Sequence, residues 1–325
     1  MILVTGGAGF IGSVLVKQLN LMGRTDIVIV DRVRDSLKWK NLRGLKYDRY
    51  IHSDALFAKE NETLFAQLEA IFHMGACSAT TELNMDYLYN NNVEFSKRLF
   101  DISAKFDLSF VYASSAATYG AGELGYSDVP ELLPKLMPLN RYGYSKQLFD
   151  EWVLKQAIRP SLWFGLKFFN VYGPNEYHKG SMRSIVHKSF EQIRDCGKVN
   201  LFKSHKEGFK DGEQLRDFVY GVDVAKAMIR LAFDAKEKSS GIYNMGTGIA
   251  RSFKDLTLAT FKSMGIAPNI DYIDMPEELR GQYQYFTQAK MDRFSALFPD
   301  FSFLTLEEGV DDYVKNYLLQ ENANC

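Results

Sequence analysis

Tyr142 and Lys146 stand four positions apart in the stretch RYGYSK, a spacing that puts both side chains on one face of a helix. An ammonium in that place favours the ionised form of a neighbouring phenol. A free tyrosine titrates near pH 10, so a phenol working as a base near neutrality needs such help. Tyr144 lies on the same turn and offers the same chemistry. Upstream, VYASSAATYG reads as the end of a strand, and it sets Ser114 and Ser115 there. Ligands of open α/β sheets bind at the carboxyl ends of strands, so a hydroxyl at that end can bond an alcohol while it loses its proton.

An oxidant would sit beside such an alcohol, and the opening MILVTGGAGFIG shows where. An apolar run, Ile2 to Val4, meets four glycines within seven residues, although glycine weakens a strand and adds no side chain. Gly7, Gly9 and Gly12 fit G-x-G-x-x-G, and Gly6, Gly9 and Gly12 fit a variant of it. Such glycines permit a tight turn, let backbone approach a pyrophosphate, and let helix and strand pack closely. The helix that starts at Phe10 would then offer free N–H groups to phosphates. About twenty positions on, Asp31 ends DIVIVD, where a carboxylate can accept the hydroxyls of an adenosine ribose. Arg32, Arg34 and Lys38 follow, and cations there favour a 2′-phosphate. NADP is therefore expected, with NAD left open by Asp31.

These groups need a scaffold. Ile2 to Thr5, Asp26 to Asp31, Ala70 to Met74, Leu108 to Ala113 and Leu162 to Phe169 read as strands. Phe10 to Met22, Glu62 to Leu68, Met85 to Phe106 and a segment beginning near Tyr142 read as helices. The alternation predicts a Rossmann-type α/β fold, a doubly wound parallel sheet with right-handed crossovers. After about Val171 the pattern turns irregular, with Val222 to Ala235 and Gly241 to Met245 reading as a helix and strand of the main sheet. The expected division is a dinucleotide-binding domain of residues 1–170 plus about 216–248, interleaved with a substrate lobe of residues 171–215 plus about 249–325.

Composition narrows the function classes. The chain has 325 residues, 46% hydrophobic and 14% aromatic, with 39 Lys and Arg against 40 Asp and Glu, a net charge of −1. No basic stripe points to nucleic acid. Cys77, Cys196 and Cys325 are scattered without a CxxC, which argues for a reducing compartment, by default the cytoplasm. No apolar run reaches the roughly 18 to 20 residues that span a bilayer, and no secretory leader pattern opens the sequence. Five histidines form no HxxxH pair, so no metal site is expected. His73 ends an apolar strand and reads as a packed histidine.

The stretches TGGAGFIGS, AIFHMGACSATTE, YASSAATYG, YGYSK, FFNVYGPNEYHKGSM, RDFVYGVDVA, GIYNMGTG and GQYQYFTQA run from the N-terminus to about Ala289. Together they resemble the extended short-chain dehydrogenase/reductases that act on nucleotide sugars, and within them the ADP-heptose 6-epimerases. The resemblance implies inversion at C6″ of ADP-D-glycero-D-manno-heptose through a transient 6″-ketone, in lipopolysaccharide core heptose biosynthesis. It implies Tyr142 and Lys179 as two acid/bases on opposite faces of the sugar, with Ser115 assisting and Lys146 holding the nicotinamide ribose. Phe10, Ile11, Asp31, Arg32, Lys38, Met74, Gly75, Ala76, Cys77, Ser78, Asn91, Lys146, Val171 and Lys179 would line a tightly bound cofactor, beside Gly6, Gly9 and Gly12. Asn170, Ser181, Lys188 or His187, Phe202, Lys203, Ser204, His205, Arg216 and Tyr283 would hold the ADP-heptose. Arg216 suits a diphosphate because its planar fork matches the oxygens. A homo-oligomer, a pentamer by resemblance, is also implied.

Arg32 departs from the family pattern, which has an uncharged amide there, and His52 and Ser53 stand where a lysine near the adenine is common. A 4,6-dehydratase would need an Asp-Glu pair after the strand-end serine, where this chain has Ala116-Ala117. A UDP-hexose 4-epimerase would share the Tyr-Lys pair. A dinucleotide sensor would need the glycines without Ser115, Tyr142 and Lys146.

Overall fold

Parallel strands β1 (Ile2–Thr5), β2 (Ile27–Asp31), β3 (Arg49–His52), β4 (Ala70–His73), β5 (Ser109–Ser115) and β6 (Trp163–Phe168) form one sheet with the strand Gly241–Met245. This computed structural model describes residues 1–236, 239–280, 283–321 and 323–325. The order across the sheet is Gly241–Met245, β6, β5, β4, β1, β2, β3. It reverses between β1 and β4, the switch point where such sheets open a crevice.

Both faces of the sheet are covered, which explains why β1, β2 and β4 are buried at every position. Successive side chains point to opposite faces. Ile2 and Val4 therefore join Val14 and Leu15 of the helix Phe10–Leu21 and Val224 and Met228 of the helix Gly221–Phe233. Leu3 and Val28 join Leu99 and Phe100 of the helix Phe95–Phe106 and Phe149 and Val153 of the helix Arg141–Lys155. A third core, with Tyr172, Phe218 and Tyr220 against Leu256 and Val310, lies on a small sheet of Ala250–Ser252, Leu215–Tyr220 and Asn170–Tyr172. Val199–Phe202 and Ile270–Ile273 pair separately.

Several elements differ from the sequence reading. The expected helix over residues 62–68 is only Glu62–Phe65, because Gln67 and Leu68 bond back three residues and tighten the chain. The expected continuous helix over 85–106 contains a wide π turn at Tyr89–Glu94, and such turns concentrate at functional sites. Strand β3 has no counterpart in the sequence reading. It is the sheet edge, with three of its four residues exposed, so it carries little apolar signal.

Candidate active site

The backbone chooses between the two glycine patterns. Gly6 has φ +66°, and a Cβ there would sit 2.7 Å from the Gly75 amide nitrogen. A Cβ on Gly12 would sit 2.2 Å from the Gly6 carbonyl oxygen, so the helix Phe10–Leu21 starts hard against the turn. Its N-cap is Gly9, and no side chain caps it. Its first N–H groups are thus available to an anion, the arrangement that accepts a pyrophosphate. Gly6, Gly9, Phe10, Ile11, Gly12, Met74, Gly75, Ala76 and Ser78 line one cleft of about 680 Å³ with Lys146, Val171 and Lys179. Cys77 does not. Its backbone is bonded on both sides to the Asn92 side chain, at 2.8 and 3.0 Å, and its thiol is near enough to act on the Tyr142 phenol.

At the other end, a smaller cavity of about 180 Å³ is lined by Asp31, Arg32, Arg34, Lys38, Ser53 and Asn91. The Asp31 carboxylate is less free than the sequence implied. It accepts the Ala8 amide at 2.9 Å, the Arg32 amide at 2.7 Å and the Lys38 ammonium at 2.5 Å. Of a carboxylate's roughly four acceptor positions one is left for a ribose. The Arg32 guanidinium is shared between Asp54, at 2.5 Å, and Asn91, at 3.2 Å. The Ser53 hydroxyl is buried with no hydrogen-bond partner among the described residues. An orphaned donor beside cations, next to a cradle that a Cβ would fill, fits a dinucleotide.

The proton-moving groups meet over the ends of β5 and β6. Asn140 caps the helix Arg141–Lys155 by accepting the Gly143 amide at 2.8 Å. Gly143 allows that helix to lie on the turn after β5, since a Cβ would meet the Ala117 carbonyl oxygen at 2.8 Å. Tyr142 and Ser115 both line the cleft, whereas Tyr144, half exposed, does not. Of the two phenols, only Tyr142 is placed on the cleft wall. The expected depression of the Tyr142 pKa by Lys146 is corrected. Burial raises the phenol above its ordinary value, and the group that works against burial is Ser115, through a hydrogen bond. Lys146 instead donates to the Ala113 carbonyl at 2.8 Å, and burial pushes its pKa down to about 8. Ser114 also lines the cleft, but its hydroxyl is committed to Asp150, to which it donates at 2.6 Å.

Across the cleft, Lys179 lies in the 3-10 turn Tyr177–Met182, its ammonium 5.5 Å from the centre of the Phe10 ring. Burial lowers its pKa and Glu176 opposes this. Two residues unforeseen in sequence hold the turn to the glycine loop. Asn41 donates to the Ala8 and Asn175 carbonyls, both at 3.0 Å, and Asn175 donates to Ser13 at 2.9 Å. His178, also unforeseen, lines the cleft beside them with its pKa pushed down to about 4, chiefly by burial. Only the φ of +72° at Asn175, after Gly173-Pro174, hints at this in local terms.

The expected substrate residues fall into two groups. Asn170 is on the cleft wall, with Ser181 exposed on the Lys179 turn. Arg216 is buried between the rings of Phe253, at 5.5 Å, and Tyr283, at 5.1 Å. Phe253 lines the main cleft. The Arg216 guanidinium donates to the Leu215 carbonyl, and among the described residues it has no carboxylate partner. Tyr283 packs edge-on against Tyr285, whose hydroxyl accepts the His205 amide at 3.0 Å. The segment Phe202, Lys203, Ser204 and His205 thus joins Arg216 through two tyrosines. Lys188 and His187 are not on the cleft wall. His187 packs on Tyr177, and Lys188 is half-buried on the helix Ile185–Cys196.

His73 is a core residue, as read. Its two nitrogens meet Thr5 at 2.6 Å and Ser96 at 2.7 Å.

Residues 2–246 match the model of the NAD dependent epimerase/dehydratase family. A protein of Fusobacterium nucleatum subsp. nucleatum named ADP-L-glycero-D-manno-heptose-6-epimerase is 53% identical, over 99% of each chain. One of the same name from Nitratidesulfovibrio vulgaris is 47% identical, over 98% of each. The crystal structure of the Helicobacter pylori ADP-L-glycero-D-manno-heptose-6-epimerase superposes with a TM-score of 0.81 at 31% identity, covering 97% of this chain and 95% of that one. The cofactor is accordingly a nicotinamide dinucleotide. By its family match and its near full-length relatives, the chain belongs to the NAD dependent epimerase/dehydratase family, in the branch of the ADP-L-glycero-D-manno-heptose-6-epimerases.

Proposed function

We propose that the chain epimerises ADP-D-glycero-D-manno-heptose at C6″ to the L-glycero form, as a step in lipopolysaccharide core assembly. The observation that carries this reading is the meeting of Ser115, Tyr142 and Lys179 with the glycine loop on the walls of one cleft, in a chain whose relatives bear that name.

An unactivated carbinol C–H resists direct proton removal, so inversion requires a ketone. A bound nicotinamide dinucleotide would supply the redox couple through which hydride leaves C6″ and returns to the opposite face. The glycine loop and the uncapped helix Phe10–Leu21 would hold its pyrophosphate, and Asp31, Lys38 and Asn91 its adenosine. Ser115 donates to the Tyr142 oxygen, stabilising the phenolate against burial, and the phenolate takes the proton of the 6″-hydroxyl. Lys146, its pKa pushed down to about 8 by burial, would hold the nicotinamide ribose beside it. Lys179 serves the alcohol from the other wall after inversion, its lowered pKa suiting it to proton transfer. Arg216, a buried cation without a carboxylate partner among the described residues, grips the diphosphate, so the heptose can turn between the two transfers while the nucleotide stays fixed.

For the cofactor we assign the 2′-phosphorylated form. Arg32, Arg34, Lys38 and the unpartnered Ser53 hydroxyl around the smaller cavity support it. The cytoplasm and a homo-oligomer complete the proposal. Three free thiols agree with a reducing compartment.

The test is incubation of the purified protein with ADP-D-glycero-D-manno-heptose while the C6″ proton is followed by NMR. Conversion to the L-glycero epimer is expected. Unchanged stereochemistry, with UDP-glucose epimerised instead, overturns the assignment in favour of a hexose 4-epimerase.

A further inference from the structure

Linked to Ser115 through its neighbours Ser114 and Thr118 is an ion pair that the mechanism does not use. Lys167 of β6 and Asp150 of the helix Arg141–Lys155 meet at 2.7 Å with both side chains essentially without solvent contact. The Asp150 carboxylate also accepts Ser114 at 2.6 Å and Tyr112 at 3.0 Å, and the Lys167 ammonium donates to Thr118 at 2.7 Å. Thr118 in turn donates to the Ser115 carbonyl at 2.8 Å. Ser115 is therefore held from both sides, through Ser114 by the anion and through Thr118 by the cation.

We infer that Asp150 and Lys167 are positioning residues for the reaction: they aim Ser115 at Tyr142 and keep the charge beneath the phenol balanced. The desolvation of a buried pair can exceed what the pair returns unless its geometry is good and further hydrogen bonds satisfy both partners, as Tyr112, Ser114 and Thr118 do here. Here each partner bonds a side-chain hydroxyl that flanks Ser115, Asp150 that of Ser114 and Lys167 that of Thr118. Asp150 also lies two helical turns beyond Tyr142, eight residues or about 12 Å along the helix axis. Its charge raises the pKa of both Tyr142 and Lys146. The other groups facing Tyr142 are Ser115 at the end of β5, Cys77 from the loop after β4, Lys146 on its own helix, and Lys179 across the cleft. Those facing the ion pair are Tyr112 and Ser114 of β5, Lys146, and Tyr119, whose ring centre is 5.3 Å from the Lys167 ammonium, with the Asp128 carboxyl also within reach of that cation.

Charge balance makes a signed prediction. Asp150→Asn leaves a bare cation under the site and lowers the phenol pKa. Lys167→Met leaves a bare anion and raises it. The neutral double variant returns close to the wild type. At that separation and a protein-like dielectric, each single variant shifts the profile by about one pH unit. The experiment measures the pH dependence of kcat/KM for all four proteins, which rests on the function proposed above. Alongside it, 13C NMR of chains labelled at tyrosine Cζ follows ionisation of Tyr142 up to pH 11, with Tyr142→Phe giving the assignment.

Opposite displacements in the two single variants are expected, by either readout. Displacements of the same sign, or none, overturn the inference, because a purely structural pair would cost stability and kcat without a signed titration. If Lys167→Met does not fold, the comparison of Asp150→Asn with the double variant decides, and equal pKa values reject the idea. A wild type inert towards ADP-heptose would reject the proposed function while the NMR titration still judged this pair.

Discussion

The two ends of the cleft are built on different principles. The end proposed for the dinucleotide is made of backbone: Gly6, Gly9 and Gly12 matter for what they lack, and the free amides of one helix end line it. The end proposed for the nucleotide sugar is made of side chains brought from afar, with Arg216 between Phe253 and Tyr283 and the 202–205 segment attached through Tyr285. Tyr142 and Ser115 stand where the two meet. A backbone site is broken by adding an atom, whereas a side-chain site is broken by removing one.

The largest effect is expected at the junction. Tyr142→Phe keeps the ring and its packing and removes only the oxygen, so turnover should fall by roughly 10²- to 10⁴-fold, the usual range for a lost acid/base group. The dinucleotide should remain bound, read by its absorbance after gel filtration. Near-normal turnover would remove Tyr142 from the mechanism and dissolve the junction.

The next pair sharpens the contrast. Gly12→Ala would place a methyl 2.2 Å from the Gly6 carbonyl oxygen, so dinucleotide affinity and melting temperature should both drop. Arg216→Ala should leave dinucleotide affinity intact and raise the substrate KM by about 10- to 150-fold, the worth of a lost hydrogen-bonded charge. Arg216→Lys should recover little, since the fork and not the charge alone is matched to a diphosphate. Isothermal titration with each ligand separates the outcomes. If Arg216→Ala weakened both ligands equally, the two ends would not be independent.

A smaller change concerns the cofactor's phosphate. Arg32→Ala removes one charged contact from the adenosine cavity, and the ratio of NADP to NAD affinity should fall about tenfold. An unchanged ratio, measured by titration with both dinucleotides, would return the preference to Asp31 and favour NAD.

The same division governs how much could be read from the sequence. Strand β1, its glycines and the Asp31 that ends β2 are local, and buried parallel strands leave unbroken apolar runs, so this half was legible. Its errors were of environment. Lys146 sits beside Tyr142 as the spacing demands, yet it bonds Ala113, and burial dominates the phenol. Asp31 follows its strand as expected, but three donors already occupy it. Strand β3 and the π turn at Tyr89–Glu94 left no periodic trace. The substrate end was reachable only through family likeness, because no local rule relates positions 205, 216 and 283. Asp150 and Lys167 were missed for the same reason: a helix carboxylate and a strand lysine look like surface charges until packing buries them.

The last prediction asks whether the core under the backbone-built end is as rigid as its role requires. His73 closes β4 beneath the Gly6–Gly75 contact, wholly buried, bonded to Thr5 and Ser96. Burial, assisted by the Lys146 charge, pushes its pKa down from 6.5 to about 3. Between those values the unfolded chain binds a proton at this residue and the folded chain does not, so stability rises with pH there and is lost as pH falls from 6.5 towards 3. The slope from one such proton is about 1.4 kcal/mol per pH unit. His73→Asn keeps a partner for Thr5, and Ser96 retains its bond to the Asn92 carbonyl. The variant should be less stable at pH 7 yet lose stability less steeply on acidification, by that one proton. Urea unfolding at pH 7, 6 and 5 reads the slope directly. Parallel curves for wild type and variant would mean that His73 takes up its proton without unfolding, and that the floor of the dinucleotide site yields where the glycine loop cannot.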